Sequence, residues 1–128
     1  MKILLDTHAL LWWLVDDSRL TEHARELIAD ERNEVLVSAA SAWEIATKHR
    51  LGKLPLAERL MPGYADLIKE EGFLHLAISP MHALRAGAYA VAHGDPFDRM
   101  LAAQAEIDDL SLISADTAFE AFPIRVVW

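Results

Sequence analysis

Short apolar segments alternate with helix-like stretches along the whole chain, and this alternation limits the possible folds more than any other feature. Five segments predict strands: Lys2–Leu5, Glu34–Ser38, Phe73–Ile78, Leu110–Ser114 and Ile124–Trp128. Helix signals place helices at 9–15, 18–31, 41–51, 55–71 with a break at 62–63, 80–91, 96–107 and 116–122. Strands that alternate with helices form parallel sheets covered on both faces. The sequence therefore predicts a three-layer α/β/α sandwich with a central parallel sheet of about five strands.

Composition narrows the class of protein. The chain has 128 residues, of which 53% are hydrophobic, and this predicts one domain spanning residues 1–128. The absence of cysteine excludes disulfides, zinc–thiolate sites and thiol catalysis. The longest apolar run, Ala9–Val15, is much shorter than the ~20 residues of a membrane span. We therefore expect a soluble, cytoplasmic protein that does not bind membranes.

The net charge of -8 argues against a protein that wraps nucleic acid with a basic surface. It argues less against an enzyme that holds phosphates through a bound metal ion, because excess carboxylate is then part of the site.

Four acidic residues fall where an α/β fold collects its functional groups. Asp6 follows the first predicted strand, Glu44 lies about one turn into the helix after the second, and Asp116 follows the fourth. Asp98 lies in the first turn of the helix that precedes the fourth strand. Ligands of such sheets bind outside the carboxyl ends of the strands, at a switch point in strand order.

Each acid alone also has a structural explanation. Asp6 and Asp116 have positions suited to capping the helices that follow them. Glu44 is spaced to close a capping box with Ser41, or to pair with Lys48 one helical turn later.

The set of acids is harder to explain structurally. Carboxylates a few ångströms apart repel each other by roughly 1 to 4 kcal/mol per pair, depending on the effective dielectric constant. Such a cluster requires protons, basic partners or a cation. Oxygen ligands without cysteine or a histidine pair suit Mg²⁺ or Mn²⁺ rather than zinc.

Four segments of the chain resemble the PIN-domain ribonucleases, specifically the VapC-type toxins of bacterial toxin–antitoxin pairs. They are the segments 4–8 (LLDTH), 38–45 with Lys48 (SAASAWEI), 93–104 (HGDPFDRMLAAQ) and 112–116 (LISAD). The resemblance covers essentially the whole chain. It implies a metal-dependent endoribonuclease that uses Mg²⁺ or Mn²⁺ and hydrolyses RNA through a metal-activated water.

The resemblance also assigns roles to the four acids. It implies that Asp6 and Asp98 are the direct metal ligands, that Glu44 helps to hold the ion or orients the attacking water, and that Asp116 completes the pocket. All four are thus expected to be catalytic and metal-binding. The implied partners are an RNA substrate, a cognate VapB-type antitoxin and a second copy of the chain, with a larger toxin–antitoxin assembly as a further expectation.

The segment DPFDR contains two acids with different expected roles. Asp95 is placed to cap the next helix, because Pro96 then occupies the first helical position, where proline is favoured. On the resemblance, Asp98 is then the metal ligand; the alternative is that Asp95 itself faces the metal.

Basic and aromatic residues near the acids have open roles. Lys48 and Arg99 are interpreted as holding RNA phosphates or as neutralising the acid pocket. Thr7 is expected to donate a hydrogen bond beside Asp6 or to satisfy the turn. Trp12 and Trp13 cannot share one helix face, so one of them is expected to mark a partner groove, while core packing is favoured over base stacking.

Two other classes of function stay open. One is a non-catalytic PIN-like protein-interaction module. The other is a phosphoacceptor receiver domain, which is disfavoured because no acid pair follows the first strand.

Overall fold

The computed structural model describes residues 1–128, and its centre is a sheet of five parallel strands. The strands are β1 (Lys2–Leu5), β2 (Glu34–Ser38), β3 (Leu74–Leu76), β4 (Ser111–Ile113) and β5 (Arg125–Val127). The helices are α1 (Thr7–Leu14), α2 (Glu22–Ala29), α3 (Ala39–Arg50), α4 (Ala57–Leu60), α5 (Tyr64–Glu70), α6 (Pro80–Ala88) and α7 (Pro96–Ile107), with a 3₁₀ helix at Thr117–Ala121. This confirms the predicted α/β/α sandwich.

The strand order creates a switch point beside β1. The order across the sheet is β3-β2-β1-β4-β5, so the chain first builds outward on one side of β1 and then continues on the other. Leu4 of β1 lies opposite Leu36 of β2 and Leu112 of β4. Because the connections from β1 and from β4 leave the sheet in different directions, their carboxyl ends border a crevice.

The two faces of the sheet bury separate cores. Side chains alternate along β1, so Ile3 and Leu5 join the core formed with α1, α2 and α5, while Leu4 joins the core formed with α6 and α7. All three side chains are fully buried. No helix has the length and apolar character that crossing a membrane would require.

Several boundaries differ from those predicted. Helix α1 begins at Thr7, two residues before the predicted start, because Asp6 caps it directly at the end of β1. Helix α2 begins at Glu22 rather than Ser18, with Thr21 as its cap.

The predicted capping box at the start of α3 is wrong. The helix begins at Ala39, and the hydroxyl of Ser38 accepts a hydrogen bond from the backbone N–H of Ala40. Ser41 is buried inside the helix, where its hydroxyl lies within hydrogen-bond distance, 3.1 Å, of the Thr7 hydroxyl. Glu44 is therefore not part of a cap, and its carboxylate is directed to other partners.

Candidate active site

One small pocket at the carboxyl edge of the sheet gathers all four acids singled out from the sequence. Its volume is about 100 Å³, which is room for roughly three water molecules. No hydrophobic residue lines it; the lining residues are Asp6, Thr7, His8, Glu44, Lys48, Asp95, Asp98 and Asp116. Five carboxylates thus face one lysine and one histidine.

Asp6 is held at the junction of β1 and α1. Its backbone N–H donates to the carbonyl of Ile113 at 3.1 Å, which ties the end of β1 to β4. One of its carboxylate oxygens, Oδ1, accepts from the backbone N–H of Ala9 at 2.7 Å. The predicted capping role is therefore real, and the capped geometry also directs this buried carboxylate into the pocket.

Glu44 is buried and fixed through both of its oxygens. Thr7 donates its hydroxyl to Oε1 at 2.6 Å, and Lys48 forms an ion pair with Oε2. The hydrogen bond and charge of Glu44 raise the pKa of Lys48, although partial burial of the lysine opposes this. Lys48 pairs with Glu44, as the helical spacing predicted. The expectation for Thr7 was wrong, because its hydroxyl donates to Glu44 and not beside Asp6 or within the turn.

The two acids of the segment DPFDR have different positions, and the predicted capping role of Asp95 is confirmed. Asp95 caps α7 by accepting from the backbone N–H groups of Phe97 and Asp98, at 2.8 and 3.1 Å. Asp98 extends from the first turn of α7, and its Oδ2 lies 2.8 Å from Nε2 of His93. Asp95 lines the pocket as well, so it stands near the other acids while capping the helix.

Asp116 closes the pocket from the β4 side. It caps the 3₁₀ helix by accepting from the backbone N–H of Ala118 at 2.9 Å, and its own N–H donates to the hydroxyl of Ser114 at 3.0 Å. Unlike Asp6 and Glu44, it is exposed to solvent. Ser114 is a supporting residue that the sequence analysis missed, although its position at the end of a predicted strand was a usable signal.

Burial raises the proton affinity of two of these acids. It raises the pKa of Asp6, with a hydrogen bond from Ser114 acting in the opposite direction. Burial also raises the pKa of Asp98 to about 6, and the charges of Asp95 and Glu44 add to this, while His93 opposes it. The raised pKa values reflect the free-energy cost of burying these carboxylates close to one another.

The donor set fits a hard divalent cation. The acids offer only carboxylate oxygens, and their charge exceeds that of Lys48. A cation would offset the burial and the repulsion that together raise the pKa of Asp98. No group of three or more Asp, Glu, His or Cys side chains is arranged so that it could hold a metal ion in this structure. The chemistry of the pocket therefore suits Mg²⁺ or Mn²⁺, without a preformed coordination sphere.

Arg99 does neither of the things predicted from its place beside Asp98. Its guanidinium points away from the acids and donates to backbone carbonyls between residues 86 and 93, including those of Ala86, Val91 and Tyr89 at 2.7–2.9 Å. It secures the end of α6 and the loop that leads to α7. Adjacent positions on a helix point about 100° apart, so Arg99 cannot share the direction of Asp98.

The adjacent tryptophans of α1 separate as expected. Trp13 packs against Phe73 and donates its indole N–H to Glu71 at 3.0 Å. Trp12 faces the other way and lines a second pocket beside the acids.

The fold and the pocket together define a doubly wound α/β protein with an oxygen-rich acidic site at its topological switch point. The sequence matches the PIN domain family over residues 3–124, and the chain belongs to that family.

Two ribonucleases of Mycobacterium tuberculosis are similar in sequence. Ribonuclease VapC22 is 30% identical over 115 residues, which are 89% of this chain and 86% of VapC22. Ribonuclease VapC16 is 40% identical over 72 residues, which are 56% of this chain and 48% of VapC16. The chain thus spans about half the length of VapC16 and most of VapC22.

Two solved structures share the fold. The crystal structure of VapBC2 from Rickettsia felis, bound to a DNA fragment from its promoter, has a chain that superposes with a TM-score of 0.72 at 14% identity. That match covers 100% of this chain and 99% of the other. FitAcB from Neisseria gonorrhoeae has a TM-score of 0.60 at 22% identity, covering 100% and 97%.

Proposed function

We propose that this chain is a divalent-metal-dependent endoribonuclease and the toxin of a VapBC-type toxin–antitoxin pair. The observation that carries the proposal is the pocket in which Asp6, Glu44, Asp98 and Asp116 meet with no hydrophobic neighbour. Family membership and the two similar ribonucleases support the same activity. The proposal treats residues 1–128 as one catalytic PIN domain that acts in the cytoplasm.

Each acid has a distinct role in this proposal. Asp6 and Asp98 would hold the ion, because they are the two acids in the pocket whose pKa is raised, and a nearby cation would favour their charged forms. Glu44 orients the attacking water, since Thr7 and Lys48 fix its position. Asp116 completes the negative pocket on its exposed side.

A bound Mg²⁺ or Mn²⁺ would supply a water of lowered pKa and offset the negative charge on the phosphoryl oxygens. The protein's own contribution is to fix the backbone from which the carboxylates extend. The backbone link between Asp6 and Ile113 and the helix cap at Asp95 set the backbone positions of the two proposed ligands. Only the side chains would then have to adjust when the ion binds, which limits the reorganisation needed before the reaction.

The proposed partners are an RNA substrate, a cognate VapB-type antitoxin and a second copy of the chain, with a larger assembly built from them. The VapBC2 complex supports the antitoxin by its similar fold. Co-expression with the protein encoded by the neighbouring reading frame tests this, and we expect the two to co-purify and the RNA cleavage to be inhibited.

Cleavage of a 5′-labelled RNA tests the activity. We expect Mg²⁺ or Mn²⁺ to support hydrolysis, EDTA to stop it, and Asp98→Asn to slow it by at least about 100-fold. Glu26→Gln is the control, because Glu26 is an exposed carboxylate on α2. Full activity of Asp98→Asn would refute the site assignment. Absence of Mn²⁺ binding in a calorimetric titration would instead favour a non-catalytic interaction module.

A further inference from the structure

A second pocket opens beside the acids and shares two of them. Its volume is about 300 Å³, and its lining residues are Asp6, His8, Trp12, Arg19, Ala115 and Asp116. It combines an indole, a guanidinium and an imidazole, whereas the neighbouring acid pocket is dominated by carboxylates. Asp6, His8 and Asp116 line both pockets, which are therefore neighbours.

Arg19 lies over the aromatic ring of Trp12. Its guanidinium carbon is 5.0 Å from the centroid of the indole. Asp17 accepts from Nε and Nη2 at 3.1 and 2.8 Å, which holds the guanidinium plane in place. The third nitrogen, Nη1, stays available, and the side chain as a whole is 67% exposed.

Trp12 is itself anchored. Its ring packs against those of Trp128 and His8, each with a centroid separation of 5.7 Å. Trp12 also packs against the core formed by α1 and α2. The stacked pair of Trp12 and Arg19 is therefore a fixed platform at the edge of the acid site.

The chemistry of this platform suits the binding of a single nucleotide unit. Single-stranded RNA is recognised by stacking bases on aromatic rings and on guanidinium planes. A guanidinium edge also matches phosphate oxygens. In a chain with a net charge of -8, phosphate contacts alone would give little affinity, so contacts to the base have to contribute.

We propose that the pocket of His8, Trp12 and Arg19 binds the nucleotide next to the scissile phosphate of a single-stranded RNA, with the base against the Trp12–Arg19 platform. The inference rests on the proposed ribonuclease function and adds where the substrate is held. A basic peptide segment is the competing occupant, because Asp6 and Asp116 would attract it while Arg19 would repel it, and the experiment below separates the two.

The chain contains a matched control for Arg19. Arg32 forms the same two contacts to an aspartate two residues earlier, with its Nε and Nη2 at 3.0 and 2.8 Å from the carboxylate of Asp30. Its side chain is 90% exposed, and it lines no pocket that contains the acids. Arg19→Gln and Arg32→Gln thus each remove one positive charge and an equivalent ion pair with aspartate, one beside the acids and the other away from them.

The test measures binding of a fluorescein-labelled, ten-nucleotide single-stranded RNA by anisotropy, in EDTA and in the Asp98→Asn background, so that no cleavage occurs. We expect Arg19→Gln to weaken binding about tenfold. Arg32→Gln should weaken it by less than about twofold. Arg19→Lys should restore only part of the affinity, because lysine has the charge but no plane to stack on. On a ribose–phosphate chain of the same length without bases, the difference between the two glutamine variants should become smaller, because only the phosphate contact of Arg19 is left.

Three results would overturn the inference. Equal weakening by the two glutamine variants would mean that only net charge matters. An Arg19 effect of undiminished size on the chain without bases would mean that no base is bound. Unchanged RNA affinity together with tighter binding of an arginine-rich decapeptide to Arg19→Gln would assign the pocket to a protein partner. These results are distinct from failure of the proposed function, which is absence of metal-dependent cleavage by the wild-type chain.

Discussion

Replacing Asp98 with asparagine should stabilise the metal-free protein while it abolishes cleavage. The carboxylate of Asp98 is partly buried, and its neighbours Asp95 and Glu44 raise its pKa further, to about 6 against an ordinary value of 3.8. At 1.36 kcal/mol per pKa unit this is about 3 kcal/mol of unfavourable free energy in the charged form. Because the group is partly solvated, screening reduces the expected effect to about 1–2 kcal/mol.

The dependence on pH has a definite sign. The folded state holds the proton of Asp98 more tightly than the unfolded state does, so the wild-type free energy of unfolding falls as pH rises from about 4 to about 6. Asp98→Asn has no proton to lose at this position and lacks that decrease. The variant should therefore gain stability relative to wild type through this window and keep the gain at pH 7 to 8.

Urea denaturation in EDTA at pH 4, 5, 6 and 7.5 measures this difference. Glu26→Gln is again the control, since Glu26 is exposed and lies outside the pocket. A difference between Asp98→Asn and wild type that does not change with pH would refute the reasoning. So would a variant that is less stable than wild type at pH 7.5.

Three further predictions use the same protein. Saturating Mn²⁺ should make wild type more stable than Asp98→Asn, because a ligand at 100 times its Kd adds about 2.7 kcal/mol to the stability of the protein that binds it. An equal rise in melting temperature for wild type and Asp98→Asn would contradict this. Arg99→Ala should lower the free energy of unfolding by about 2–4 kcal/mol, since several partly buried carbonyls lose a charged donor; unchanged urea stability would show that the contacts are dispensable. Thr7→Val should lower kcat about 10- to 100-fold through loss of the support for Glu44, with a folded protein by circular dichroism; kcat within about twofold of wild type would remove Thr7 from the site.

The strands could be predicted from the sequence because each is a short apolar run. β1 and β2 have the predicted bounds, while β3 ends two residues before the predicted Ile78. A local apolar pattern cannot specify where pairing stops, since that depends on the neighbouring strand. The order β3-β2-β1-β4-β5 likewise depends on tertiary packing and was not predicted.

Local polar contacts were predicted well only where helix geometry determines them. Lys48 pairs with Glu44 because residues four apart share a helix face. Asp95 caps α7 because proline follows it. Arg99 was misjudged because proximity in sequence to Asp98 says little about direction when the next position is rotated by about 100°. The contact between Thr7 and Glu44 joins two helices 37 residues apart, and no sequence periodicity encodes it.

The convergence of the acids follows from the same topology that defines the sheet. Asp6 follows β1 and Asp116 follows β4, and these strands are paired neighbours, so their carboxyl ends must lie side by side. Glu44 and Asp98 extend from α3 and α7, which begin at that edge and pack against each other. Both Asp6 and Asp116 also cap a helix, and a cap requires a carboxylate only at the first turn. Capping therefore explains where Asp6 and Asp116 lie along the chain but not why Glu44 and partly buried Asp98, which cap nothing, are acidic. Under the proposed function, a cation beside them would offset the cost of burying their charges.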